Sequence, residues 1–485
     1  MKKIALTLSF LMVFCAFVAN LSACTSKREN ITEYQIECSL QDNVLSGKQT
    51  VTFYNDTELA FNELKFNLFA NAFRKDAKFT PISSQHTYKA YPNGLDYGNM
   101  QIEKVMIDEK DVDFSIGGVD QNILIVPLEN EVFPNERVSV YIEYTLKLAN
   151  VIARTGYNSN TINLANFYPI LCGIDEHGFY ECVYYSTGDP FYSDVASYSL
   201  TFSCDQKYVV ASSGHQESIK VQDGVSTSVY SLSRARDFTL VLSQDFSVDT
   251  DLSTGVEINY YYYDDKQPKT SLNYAVQAIN LFSETFGEYP YQTLAVVQTQ
   301  FVQGGMEFPA LVMISDDLEG QSYGEVIVHE TAHQWWQSAV GNNEIEFGFL
   351  DEGLAEYSVV LFYENYPEYS FTRQDLIKSS ENTYKVFCSV YDKVFHSVNT
   401  VMIRSLKDFT SEYEYVNIAY IKPCIMFDSL RTTIGEEKFF KGLKRYYKDY
   451  KFKNAKPDDL VGAFEKCGAD TNGFFESFFL GKVIL

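Results

Sequence analysis

His329-Glu330-Thr331-Ala332-His333 sets two imidazoles four residues apart with a carboxylate between them. On an α-helix, positions i and i+4 share a face, so both rings can reach one metal ion. Glu330 falls about 100° round the helix, beside that ion and not behind it. A zinc site built for hydrolysis needs three protein ligands and one position open to water. Glu352 follows His333 after an interval of eighteen residues, in Phe349-Leu-Asp-Glu-Gly-Leu-Ala-Glu-Tyr357. That interval holds the rest of one helix, a loop at Gly341-Asn342-Asn343 and the first turn of a second helix. The spacing therefore predicts that Glu352 points back at the histidines, giving a His2Glu site for one zinc ion (Zn2+). Zinc held in this way lowers the pKa of a water towards ~7. Glu330, which is not a ligand, is the base that takes the water's proton and passes it to a leaving amine.

Stepping outwards, the helices must hold this set in place. Val328, Ala332, Trp335 and Ala339 recur at helical spacing and predict a buried face on a helix running from Ser322 to Gly341. Ser322 and Glu325 read as a capping box and Gly341 as the stop. Asp351 is expected to cap the second helix, and Pro367 falls beyond its end. Upstream lie a strand at Val256–Tyr263, a helix at Ser271–Phe286 closed by Gly287 and Pro290, and apolar strands at Thr293–Gln298 and Ala310–Ser315. From Glu33 to about Thr254 the pattern is β, with alternating runs such as Gln49–Tyr54, Val138–Tyr144 and Ser197–Phe202 between Asn/Asp/Gly/Pro turns, which predicts a large antiparallel sheet domain.

At this level of detail the chain resembles the M1 family of zinc aminopeptidases, gluzincins whose pattern is HExxH-x18-E followed by G-x-A-x-Y. Gly304-Gly305-Met306-Glu307-Phe308 resembles the family's G-x-M-E-N exopeptidase motif, and Tyr420-Ile421-Lys422 resembles its catalytic-tyrosine segment. Asn166–Pro169 and Gly188–Tyr198 are similar to parts of the family's saddle-like amino-terminal domain. The resemblance implies an α+β multidomain fold: an antiparallel β saddle-like N-terminal domain, residues 33–254, followed by a thermolysin-like zinc-peptidase domain of mixed sheet plus helices, residues 255–485. It assigns Tyr420 as donor to the oxyanion, and it implies that Gly304, Gly305 and Met306 line the substrate while Glu307 pairs with its free α-amino group. It also implies that a loop of the first domain reaches the substrate pocket, with no particular residue identified. Phe308 stands where the motif has Asn, and Pro423 where Y-x-K-G has Gly; Pro423 is compatible with the start of a helix. The family's helical carboxy-terminal domain has no counterpart in the pattern, which implies a short form with a more open cleft. The reaction class is peptide hydrolysis, most simply by an aminopeptidase. An open-cleft endopeptidase or relaxed peptidase, a non-catalytic peptide-binding surface lipoprotein and the family's epoxide-hydrolase branch are the alternatives.

Met1-Lys2-Lys3, the apolar run to Ala19 and Leu21-Ser22-Ala23-Cys24 read as a secretory leader, residues 1–23, ending in a bacterial lipoprotein box. Cys24 is then the lipidation site, residues 24–32 form a polar tether, and the protein is extracytoplasmic and bound to the cell membrane by a lipid anchor. The alternative is cleavage near Ala23 with an unmodified Cys24. With 39 Lys+Arg against 64 Asp+Glu, the chain has no basic stripe for phosphates, so peptides and a membrane are the expected partners and nucleic acid is not. Seven scattered cysteines remain after Cys15 and Cys24 are set aside, which is no disulfide framework. Cys172 and Cys182 flank a turn and can either pair or stay as buried thiols. His86, His177, His215 and His396 stand alone and read as ordinary surface or loop residues.

Overall fold

The computed structural model describes residues 30–483. The leader, Cys24 and the first residues of the tether lie outside the described residues.

Strict alternation dictates the first half. Thr32–Gln41 buries every second side chain, so one face must be covered. It sits inside an eight-stranded sheet whose order is His215–Gln222, Val225–Ala235, Ala196–Asp205, Thr32–Gln41, Val44–Tyr54, Arg137–Lys147, Asn99–Ile107 and Lys110–Asp111. The sheet is not wholly antiparallel as expected: Thr32–Gln41 pairs in parallel with Ala196–Asp205, in a register that sets Tyr34 against Tyr198. Periodicity reports which face is buried but says nothing of the direction of the neighbouring strand. Two four-stranded sheets complete this half, and the second of them carries Phe61–Asn67 against Ile123–Val132.

The second half is built on a five-stranded mixed sheet ordered Ser247–Asp251, Glu257–Tyr262, Thr293–Thr299, Leu311–Ser315 and Gly305–Met306. The three middle strands are parallel, and the helix Pro268–Thr285 makes the first crossover. Thr293–Thr299 is buried along its whole length, as a strand covered on both faces must be. Ser247–Asp251 already pairs with this sheet, so the sheet draws on residues before 255. Gly305–Met306 is a two-residue antiparallel edge that delivers Glu307 to the site.

One apolar cluster runs through both halves, and a buried cation crosses between them. Arg236, 4% exposed, donates from Nε to the carbonyl of Gln337 at 2.9 Å, from one terminal nitrogen to that of Ser193 at 2.7 Å, and from the other to that of Lys453 at 2.7 Å. Asn454 Oδ1 is its fourth acceptor. Removing the guanidinium leaves the buried Gln337 carbonyl and the part-buried carbonyls of Ser193 and Lys453 without this donor, a buried unpaired group costing about 1–3 kcal/mol. Arg236→Met is expected to lower unfolding stability by roughly 2–5 kcal/mol, read by equilibrium denaturation against the wild-type chain.

Candidate metal centre

The site is assembled by two helices, one edge strand and one loop. The first helix spans Gly320–Ala332, with Glu319 at its N-cap and no side-chain cap. Ser322 is not the expected cap: it lies inside the first turn and donates to the Glu319 carbonyl at 2.9 Å. The helix also stops well short of Gly341. His333 is its C-cap, and the chain then turns so that the Trp336 carbonyl lies 2.9 Å from His333 Nδ1. Trp335 and Ala339 are buried as expected, though from this turn and not from a helical face. The second helix, Phe349–Asn365, begins three residues earlier than a cap at Asp351 allows; Gly348 is its N-cap and Asp351 is buried in its first turn.

His329 Nε2 and His333 Nε2 are 3.1 Å apart, and Glu352 Oε2 lies 3.3 Å from the first and 3.2 Å from the second. Ligands about 2.0–2.1 Å from a tetrahedral zinc stand roughly 3.3–3.4 Å from one another, so these three donors fit one such ion. The ring nitrogens facing away are also held. His333 Nδ1 lies against the Trp336 carbonyl, and His329 Nδ1 is 3.3 Å from Glu356 Oε2, which turns each Nε2 lone pair inward. Charge gives the same answer. Asp189, Glu307, Glu330, Glu344, Asp351 and Glu352 are each at most 8% exposed. Burial raises Glu352, but hydrogen bonds from His329 and His333 outweigh it and hold the carboxyl down at about 2.

Glu330 reaches past the donors and lies against Gly305, where a Cβ would overlap its carboxylate. Its Oε2 is buried with no hydrogen-bond partner, and burial pushes its carboxyl up to about 7 although both histidines pull it down. Glu307 is likewise buried with Oε1 unpartnered; burial first and the neighbouring Asp189 next raise it well above the usual range. Tyr420 donates its hydroxyl to Glu352 Oε1 and stacks on His329, with ring centroids 5.8 Å apart and planes at 13°. Burial and the charge of Glu352 raise the phenol well above its usual value, so it stays a proton donor. Its segment, Val416–Ile421, is a π-helical turn, a distortion often found at functional sites, ahead of the helix Lys422–Ile434 with Pro423 in its first turn.

A cavity of about 380 Å³ joins these groups, lined among others by Gly304, Gly305, Glu307, His329, Glu330, His333, Glu352 and Tyr420. The expected sites thus come together, with Met306 buried at the edge strand beneath them. Two residues escaped the sequence. Arg154 and Asp189 from the β-rich half also line this cavity, together with His86, Ser186, Thr187 and Gly188, which is the reach of the first half that the resemblance left without a number. Asp189 sat in the quoted Gly188–Tyr198 segment; Arg154 carried no local signal. His86, read as an ordinary loop residue, stands on the cavity rim 3.1 Å from Glu412. Cys172 and Cys182 are buried free thiols.

Residues 270–478 match the family model described as the Peptidase family M1 domain. Among curated proteins, human endoplasmic reticulum aminopeptidase 2 is 28% identical over 227 residues, covering 43% of this chain and 23% of that protein. Aminopeptidase N of Lactobacillus delbrueckii subsp. lactis is 26% identical over 386 residues, covering 75% of this chain and 44% of that protein. The chain therefore spans less than half the length of these relatives. Among solved structures, an M1 zinc metallopeptidase from Deinococcus radiodurans superposes with a TM-score of 0.68 at 15% identity, covering 94% of this chain and 96% of that one. A mutant of that peptidase bound to a Tyr-Ser-Ala substrate gives 0.66 at 16% identity, covering 94% and 95%. The shared fold is the two-domain one expected.

Two outcomes follow from the geometry. Zinc is expected to raise the unfolding midpoint of chelator-treated wild-type protein and to leave that of His333→Ala or Glu352→Ala unmoved, as binding to the folded state alone requires. Lys422, whose ammonium donates to the carbonyls of Thr400 at 2.6 Å and Phe478 at 2.7 Å, is pushed down to about 8 by burial. Since the unfolded chain keeps that proton up to about 10.4, stability should rise between pH 8 and 10.4. The rise should be absent in Lys422→Met when unfolding is followed across that range.

Proposed function

We propose that this chain is a zinc-dependent aminopeptidase that removes residues from the free amino end of peptides. The observation that carries the reading is Glu307: a buried carboxylate with an unpartnered oxygen, in the same cavity as the three metal donors. A buried carboxylate without a partner is costly, and a substrate's α-ammonium supplies the missing one. His329, His333 and Glu352 would hold one zinc ion, which when bound acidifies a water and polarises the carbonyl to be cleaved.

The residues of the chain do the rest. Glu330, whose Oε2 is buried without a partner, takes a proton from the attacking water and returns it to the departing amine. Gly305, by having no side chain, leaves Glu330 room to make that transfer. Tyr420 turns its hydroxyl from Glu352 to the oxyanion of the tetrahedral intermediate, the kind of donor whose loss costs about 2.7–4 kcal/mol. Glu307 fixes the first residue so that the bond attacked is the one following it. The Deinococcus structure with Tyr-Ser-Ala supports a short peptide as the substrate class. Anchorage outside the cytoplasm through a lipid on Cys24 is part of the same proposal and rests on the leader sequence alone.

Matched peptides with free and acetylated amino ends decide the matter. Only the free form should be cleaved, chelator should abolish cleavage, and added zinc should restore it. Glu330→Gln should lose about 10²–10⁴ in kcat, and Glu307→Ala should lose at least about tenfold in kcat/KM on free peptides. Equal cleavage of both forms by the wild-type protein favours the open-cleft endopeptidase instead.

A further inference from the structure

We infer that Arg154 is a positioning residue that builds the amine end of the cleft by holding Asp189 opposite Glu307. The inference rests on the aminopeptidase reading above and deepens it.

Arg154 and Asp189 both belong to the β-rich half, yet they are 6% and 8% exposed because the other half closes over them. The guanidinium is used on three sides. One terminal nitrogen pairs with Asp189 Oδ1, Nε points at Met306 Sδ at 2.9 Å, and the plane lies over Phe191 with its carbon 5.4 Å from the ring centre. Met306 immediately precedes Glu307 on the edge strand, so one rigid, permanently charged fork touches both the loop that carries Asp189 and the strand that carries Glu307. An oxygen of each of Asp189, Glu307 and Glu352 lies within 4.8 Å of the others. Two carboxylates so close repel one another, and the cation behind Asp189 is what fixes its direction.

The charges then match the ligand. Arg154 offsets Asp189, which leaves Glu307, with its unpartnered oxygen, to meet a single α-ammonium. The loop has no slack either. Gly188 is at φ 71° with its Cα pressed on Leu406 and Tyr415 of the helical half, where any Cβ would collide. This end of the cleft is thus walled by a loop pinned on one side by Arg154 and on the other by Tyr415. An acyl group added to the substrate's nitrogen would meet that wall.

Full-length Arg154→Gln, Arg154→Lys and Asp189→Asn, assayed on free and acetylated tripeptides with zinc content measured alongside, test the role. Arg154→Gln should raise KM for the free peptide about tenfold or more with kcat changed less than about threefold and zinc content unchanged. Arg154→Lys should recover part of the KM, and Asp189→Asn should follow Arg154→Gln. A KM within about twofold of wild type in Arg154→Gln, or a loss of kcat and zinc with KM unmoved, overturns the inference. If Arg154→Gln does not fold, the near-isosteric Asp189→Asn decides by the same KM criterion. A wild-type protein that cleaves both peptides equally removes the Glu307 anchor itself, whereas one that discriminates while Arg154→Gln keeps its KM removes only the role of Arg154.

Discussion

Six carboxylates buried around one cleft form an arrangement that repels itself, and most of the molecule can be read as the means of tolerating it. Removing an ion from water is expensive unless an opposite charge or several hydrogen bonds replace the solvent. Among the described residues the fixed positive charges near them are the guanidiniums of Arg154, paired with Asp189, and of Arg236, near Glu344, with two imidazoles that become cationic only by taking up protons. Burial opposes a charge on either histidine, yet Glu352 and Glu356 pull His329, and Glu307 and Glu352 pull His333, towards the protonated state, while burial pushes Glu330, Glu307 and Asp351 towards the neutral acid. A divalent cation between His329, His333 and Glu352 relieves both tendencies at once. Metal binding, histidine neutrality and a Glu330 able to accept a proton are therefore one electrostatic condition and not three.

That condition explains why the site lies where two halves of the chain meet. A single helix pair supplies the three donors, but helices Gly320–Ala332 and Phe349–Asn365 carry no arginine to offset Glu307 and Glu330. The β-rich half delivers Arg154 to the site and Arg236 to the turn beyond the first helix, where its Nε holds the Gln337 carbonyl. The two cations act differently. Arg236 spends its hydrogen bonds on neutral oxygens, with Asp194 the nearby opposite charge, whereas Arg154 pairs directly with a carboxylate and fixes both position and charge. The eight-stranded sheet, remote from the chemistry, is in this sense the support that brings two guanidiniums to the seam.

How much of this was legible depended on whether the signal was local. The donors and Glu330 fall within a span of 24 residues whose spacing is fixed by helix geometry, so HExxH and the distant glutamate could be placed before any fold was known. Capping was misread because Ser322 and Asp351 have good capping side chains that the backbone does not use; Gly320 and Phe349 start the helices first. The early end of the first helix was hidden for a related reason: the Trp336 carbonyl is claimed by His333 Nδ1, a tertiary demand that propensity cannot show. Arg154 is the clearest case of illegibility. It lies 35 positions from Asp189 and 152 from Met306, in the connection between Arg137–Lys147 and Thr155–Tyr157 with no motif around it, and only the tertiary fold gives it partners.

Tyr420 shows how the same logic reaches the end of the chain. The phenol proposed as oxyanion donor must be able to reach the reacting carbonyl; here it rests on Glu352 Oε1, the oxygen that does not face the histidines. Holding it there takes a π-helical turn, which widens the helix at Val416–Ile421 and swings the ring over His329. The turn is braced from below by Lys422, whose ammonium grips the carbonyls of Thr400 and Phe478. Pro423, which replaces the expected Gly, sits in the first turn of the following helix, where the π-helical turn gives way to α-helix. The departure from the family pattern is thus absorbed by the backbone geometry that the tyrosine itself needs, and the carboxy-terminal helix Phe474–Phe479, through the Phe478 carbonyl, becomes part of the support of the active centre.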